Sequence, residues 1–174
     1  MISSQTPVEL SKQVGLATIT SRALTTEQLT AISEPGQDIS AQAKNFLRDI
    51  PSSSGGLPTF QTALSSSQEG GETHVIGAFS KRPERTTERL VGLMVLHTEA
   101  SSDETKADTK AHLALVAVDR NLRRQGLAKL MLRSAREGLG LTSVTAREPV
   151  RTSKHLTLGT LRGIAKHNDI HLER

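Results

Sequence analysis

Apolar residues along this chain gather into short runs separated by charged or Ser/Thr/Gly-rich segments, and the runs differ in period. Thr73–Ser80 (THVIGAFS), Arg89–His97 (RLVGLMVLH) and Ala111–Val118 (AHLALVAV) are nearly continuous in apolar residues and rich in Val and Leu. Runs of this length between polar boundaries predict strands. The first two would pair across Lys81–Glu88, a turn that carries Arg82, Glu84, Arg85 and Glu88 and reads as solvated. Leu141–Thr145 predicts a further strand, and Thr59–Leu64 either an edge strand or part of a loop.

Other segments repeat at helical spacing. Leu127, Leu130, Met131 and Ala135 fall on one face, with Lys129, Arg133, Arg136 and Glu137 mostly opposite and Gly138 as the expected stop. Thr26–Ser33 predicts a helix capped by Thr25 and ended at Glu34-Pro35-Gly36. Ser40–Ile50 places Ala43, Phe46, Leu47 and Ile50 on one face, and Leu156–Lys166 is a modest helix with Gly159 and Gly163 inside it. Residues 1–70 are rich in Ser, Thr and Gln, with breaks at Pro51–Gly56 and Ser65–Gly71. Met1–Leu10 reads as disordered, which divides the chain into a disordered leader over 1–13 and one domain over 14–174.

Composition narrows the chemistry. Cysteine is absent, which excludes disulfides, thiolate catalysis and cysteine metal sites. The histidines form no H-E-x-x-H motif, and no metal is expected. No apolar run approaches the ~20 residues that span a bilayer, and the start shows no signal-peptide core, so no membrane partner is expected. A net charge of +4 and a pI near 9.8 suit an anionic ligand. With no Trp or Tyr and three Phe, the stacking platform of a single-strand or RNA binder is missing, which disfavours a nucleic-acid partner.

The chemistry-bearing pattern lies where Ala111–Val118 meets the helix of Leu127. The connection reads Asp119-Arg-Asn-Leu-Arg123-Arg124-Gln125-Gly126, and Leu127-Ala128-Lys129 opens the helix. A first helical turn presents N–H groups without intrahelical partners and carries partial positive charge, so it is a ready site for a diphosphate. Gly126 removes the side chain at closest approach, and Ala128 keeps the next exposed position small. Arg120, Arg123, Arg124 and Lys129 add charge. The rival phosphate loops G-x-G-x-x-G and G-x-x-x-x-G-K-[ST] are absent.

Arg123-Arg124-Gln125-Gly126-Leu127-Ala128 resembles the [QR]-x-x-G-x-[GA] signature of the GCN5-related N-acetyltransferases, the GNAT family. Leu90–Leu96 resembles that family's third strand, and Ile19–Glu27 its opening strand and capped helix. The resemblance runs over roughly 14–170, and its specific part is 112–136. It implies an α/β (α+β) GNAT fold, a central mixed, mostly antiparallel sheet flanked by helices, with a short C-terminal end. It implies acetyl-CoA as co-substrate, with Val116, Ala117 and Val118 along the pantetheine and Arg123, Arg124, Gln125, Gly126, Leu127, Ala128 and Lys129 around the diphosphate. The activity implied is transfer of acetyl to an amine, on a protein lysine or N-terminus or on a small molecule. The helices over 26–50 would line the acceptor groove.

In the histone acetyltransferase branch a glutamate base lies on the fourth strand, six residues before the position of Val118. That register falls on His112, whose imidazole, with an ordinary pKa of ~6.5, suits proton uptake near neutral pH. Strand alternation would put His112 on one face with Ala114, Val116 and Val118. A strand-end histidine facing solvent is the alternative, and Glu99, His97 and Glu148 are lesser candidates for the base. The chain departs from the family in having no tyrosine to act as acid. Ala165 lies near that position, and His167, Ser153 or unassisted loss of the thiolate would have to replace it. The tail after Lys166 has room for at most one short strand where the family has two, leaving an edge that a second copy could complete as a homodimer. Two further readings stand beside the enzyme: a non-catalytic acyl-CoA-binding protein, and an effector secreted into a host cell by a Ser/Thr-rich leader. Cytoplasmic location is expected under the first two.

Overall fold

Two apolar cores lie on opposite faces of a single sheet. The computed structural model describes residues 6–48, 56–65, 71–99, 109–145, 151–152, 166 and 171–173. The strands are β1 (Leu10–Val14), β2 (Ala17–Ala23), β3 (Thr73–Lys81), β4 (Arg89–Thr98), β5 (Thr109–Val118), β6 (Leu141–Thr145), β7 (Arg151–Thr152) and β8 (His171–Glu173). The helices are α1 (Thr26–Ser33), α2 (Asp38–Leu47), α3 (Gly56–Ser65) and α4 (Leu127–Leu139). Sheet order is β1-β2-β3-β4-β5-β6-β8, with β7 beside β5. Pairings from β1 through β5 are antiparallel, while β6 and β7 run parallel to β5 and β8 parallel to β6. The chain is therefore a mixed, mostly antiparallel sheet with helices, of the α+β class. Among the described residues no helix is long and apolar enough to cross a membrane.

The long apolar runs follow from coverage of both faces. Every residue of β4 from Leu90 to His97 is buried. Helix α4 packs on one face over Ile19, Ile76, Met94, Leu96, Val116 and Val118. The other face meets α1, α2 and α3 through Ile32, Phe46 and Phe60, with Phe79, Leu93 and Leu115 from the sheet. A strand sandwiched this way has no polar face to show, so alternation disappears. The apolar face of α4 is as its spacing predicts: Leu127, Leu130, Met131 and Ala135 are all buried, each large side chain contributing roughly 1.5–3 kcal/mol by removal from water.

Helix α1 begins where expected. Thr25 accepts from the Gln28 N–H and the Gln28 side chain accepts from the Thr25 N–H, a reciprocal capping box. Helix α2 starts at Asp38, two residues ahead of expectation, and buries Ala43, Phe46 and Leu47; Ile50 lies outside the described residues. Thr59–Leu64 is part of α3, neither strand nor loop. Phe60 and Ala63 are buried while Gln61 and Thr62 are exposed, so the i, i+3 spacing overrides the strand preference of Thr and Phe.

Two further expectations are corrected. Helix α4 ends at Leu139 with Gly140, at φ 66°, as its left-handed cap, and Gly138 lies within the last turn. Gly138 instead makes room: a Cβ there would collide with the Thr6 carbonyl oxygen and fall 2.6 Å from Pro7 Cα. The second correction concerns the leader, whose expected end at residue 13 is too late. Val8 N–H donates to the Ser134 carbonyl at 3.0 Å, Ser134 Oγ donates to the Val8 carbonyl, and β1 then pairs with β2 from Leu10. The packed unit thus begins before position 14, because α4 offers a glycine-lined track and two hydrogen bonds to the passing chain. The helix expected over Leu156–Lys166 lies, apart from Lys166, outside the described residues.

Candidate functional site

The expected residues divide between the two ends of β5. At the C-terminal end, Asp119 leaves the strand buried, its N–H bonded to the Val91 carbonyl at 2.8 Å. Its carboxylate accepts from the Asn121 N–H at 2.9 Å and from Arg89 Nη2 at 2.6 Å, capping a 3-10 turn over Arg120–Leu122. A charged, short hydrogen bond of this kind is among the stronger ones, and here it fixes where the loop starts. Arg123 is extended, Arg124 has φ 64°, and Gly126 has φ 80° and ψ 20°. No side chain caps α4 at Gly126. The Leu130 N–H makes the first turn's bond back to the Gly126 carbonyl, so the preceding N–H groups face outward as a helix start requires.

Arg124 and Gln125 are exposed, and Arg123 and Lys129 are half-buried around this opening. Leu127 and Ala128 point the other way, into the core beneath α4. Ala128 is therefore small because the helix sits close on the sheet, which corrects its expected exposure. Val116, Ala117 and Val118 are buried as well, so any ligand alongside them would meet backbone.

One residue here escaped the sequence reading. Lys12 of β1 donates from Nζ to the Gln125 carbonyl at 2.7 Å, and the same Nζ lies 3.0 Å from where a Cβ on Gly126 would be. Nothing local to Lys12 signals this. It follows from the β1–β2 hairpin lying beside the start of α4.

At the other end, a bulge resets β5. Leu96 pairs with Leu113 but Val95 pairs with Leu115, leaving Ala114 over. Ala111, Leu113, Val116 and Val118 consequently face α4, whereas Ala114, Leu115 and Ala117 face the α2–α3 side. His112 pairs directly with His97, whose ring is bonded to α3, so it faces that side too. The expected shared face of His112 with Val116 and Val118 is thus wrong, because an extra residue inverts alternation beyond it.

The parallel partner also leaves at this point. Pairing of β5 with β6 stops at His112↔Thr145, and β7 takes up Leu115 and Val116. His112 is half-buried, with Nε2 3.0 Å from Glu99 Oε1, an approach whose direction makes no hydrogen bond. Glu99 is held there by its own N–H, bonded to the Lys110 carbonyl at 2.9 Å. His97 is buried, with Nε2 2.7 Å from the Ala63 carbonyl and Nδ1 2.9 Å from Thr73 Oγ1. Since a carbonyl only accepts, Nε2 carries a proton, and Nδ1 pairs with the Thr73 hydroxyl. Both nitrogens are engaged, Nε2 tying α3 to the sheet and Nδ1 holding Thr73 of β3, which removes His97 as a base. Glu148, Ser153, Ala165 and His167 lie outside the described residues.

No protein-family model matches this chain, and no match is found among curated proteins.

The site must therefore be read from its own geometry. It offers a cationic, uncapped helix start at one end of β5 and a half-buried imidazole beside a carboxylate near the other. Between them runs a strand that β6 has left and that β7 pairs only at Leu115 and Val116.

Proposed function

We propose that this protein is a GNAT-type N-acetyltransferase that uses acetyl-CoA and an amine acceptor, a protein lysine or N-terminus foremost. The observation that carries the reading is the left-handed Gly126 at the start of α4, entered from a buried strand, with Lys12 bonded to the Gln125 carbonyl and Arg123, Arg124 and Lys129 close by in sequence. Among the described residues no side chain caps that helix start, which leaves its N–H groups for a diphosphate to accept from. The pantetheine would lie along the backbone of β5 toward the bulge at Ala114. In that path β7 holds Leu115 and Val116, so binding in this mode requires β7 to yield those positions.

The acceptor nitrogen attacks the thioester carbonyl carbon, the C–S bond breaks, and acetyl ends on nitrogen. His112 takes the proton the amine gives up, and the Glu99 carboxylate balances the imidazolium so formed. The chain has no tyrosine, so CoA leaves as thiolate and takes its proton from water. That same absence favours one second reading, an acyl-CoA-binding protein without turnover.

Calorimetric titration with acetyl-CoA, followed by transfer assays on peptide and small-molecule amines, separates these. The enzyme reading expects saturable binding and a His112→Ala loss of about 10²–10⁴-fold in turnover with binding unchanged. Binding without transfer to any amine favours the second reading, and no binding of acetyl-CoA refutes both.

A further inference from the structure

A second ligand-sized space lies at the same end of the sheet but outside the β5–α4 opening. It is a cavity of about 540 Å³ between the β1–β2 hairpin, the β3–β4 hairpin and the start of the loop after β5. Cavities of roughly 300–1,000 Å³ are the usual size for small-molecule sites. Its floor is apolar, with Val14, Ala17, Val91 and Leu122, and its rim carries Arg82, Arg85 and Arg89.

The charges do not balance. Both carboxylates of the lining are engaged: Asp119 by Arg89 at 2.6 Å, and Glu88 by Arg22 at 2.7 Å, a side chain from outside the cavity. Arg82 lies 3.8 Å from Glu84. Arg85 makes no such pair among the described residues. A surplus guanidinium above an apolar floor selects an anion with an apolar body. Leu16 stands on the same rim and is 76% exposed, alone in this among the large hydrophobic side chains of the described residues. An apolar body seated on the floor would cover it.

The space is too far from His112 to receive the acetyl acceptor. Asp119, on the cavity wall, lies seven positions beyond His112 in the chain, about 23 Å at the ~3.3 Å rise of a strand. We propose that this cavity binds a small amphipathic oxyanion, a carboxylate or phosphate head on Arg85 with a short apolar chain on Val91, Leu122 and Leu16. The site is independent of the acetyltransferase reading. Because Asp119 and Leu122 belong both to its wall and to the segment leading into Arg123, an occupant would also bear on the position of that loop.

The test is a titration of the full chain with hexyl phosphate, followed by amide chemical shifts, with hexylammonium and inorganic phosphate alongside. Saturable shifts at Leu16, Val91 and Leu122 are expected, with both control compounds binding at least tenfold more weakly. Arg85→Ala should weaken hexyl phosphate by about tenfold, as loss of a charged hydrogen-bond donor does. Leu16→Ser should weaken it by about fivefold through lost apolar contact. Equal binding of hexylammonium, or an Arg85→Ala variant with unchanged affinity, would overturn the proposal. Shifts confined to 123–129 would overturn it too, by placing the phosphate at the start of α4. Failure of acetyl-CoA to bind would leave these outcomes as they are.

Discussion

The two ends of β5 hold charge in different ways. At the Gly126 end, positive charge comes from helix N–H groups and long cationic side chains, fixed by backbone conformation and by the Arg89–Asp119 contact. At the His112 end, the chemistry belongs to titratable side chains brought together across three strands and a helix. His112 meets Glu99, and His97 bridges Thr73 and Ala63. The first arrangement is carried mainly by one run of sequence, Asp119–Lys129. The second depends on register and on protons.

Gly126 allows the largest test of that difference. Most side chains at φ 80° cost roughly 1–2 kcal/mol, so Gly126→Glu mixes backbone strain with charge. Its carboxylate would also meet Lys12 and neutralise it, given the 3.0 Å approach. Gly126→Asn tolerates the left-handed region and adds no charge. Acetyl-CoA affinity should fall at least about 100-fold for Glu, since a like charge near a phosphate costs several kcal/mol, and less than about tenfold for Asn. Equal losses would mean that the backbone alone matters. Unchanged affinity for Glu would place the diphosphate elsewhere.

The contrast also explains what could be read in advance. The strand, loop and helix from 111 to 139 are neighbours in sequence, so apolar period, glycine and arginines announce them together. The capping box of Thr25 and Gln28 is local in the same sense. What escaped the sequence is long-range. Lys12 reaches Gln125 across 113 positions, and the bulge at Ala114 exists only in the pairing with β4. Strict alternation therefore put His112 on the wrong face, although its place in the strand was right. Residues 6–8 read as unstructured because their partner, α4, begins more than a hundred residues later.

Asp119 is the hinge of the local arrangement, and Asp119→Ala should lower stability by about 1–3 kcal/mol. It would leave the Asn121 N–H without its cap and Arg89 without its carboxylate. The half-exposed guanidinium can turn to water, which keeps the cost below that of a fully buried pair. Urea unfolding measures it. A loss below about 0.5 kcal/mol would show that the loop is anchored by the Val91 hydrogen bond instead.

Lys12→Ala should act more gently. The lysine is exposed, so its effect on acetyl-CoA binding is a screened charge interaction of several-fold that shrinks as salt rises. Calorimetry at low and high ionic strength checks this. A salt-independent loss would mean that Lys12 matters for holding the Gln125 carbonyl, a structural role.

The smallest effect is expected at the histidine end. His74 on β3 has its pKa lowered from the ordinary 6.5, chiefly by burial and further by the charge of His97, against an opposing pull from Glu72, whose carboxylate lies 3.6 Å away. Below 6.5 and down to the lowered folded value, the unfolded chain binds more protons than the folded one. Stability therefore falls as pH drops through that window and is unaffected by His74 above it. His74→Gln removes this contribution, so the variant should lose less stability than the wild type between about pH 7.5 and 5.5, measured as paired urea midpoints. Equal losses would show that burial of His74 does not govern the acid side. A greater loss in the variant would mean that the contact with Glu72 outweighs desolvation and raises the folded pKa. In either case acetyl-CoA affinity of His74→Gln should match wild type, because His74 belongs to β3 and is none of the groups placed around Gly126.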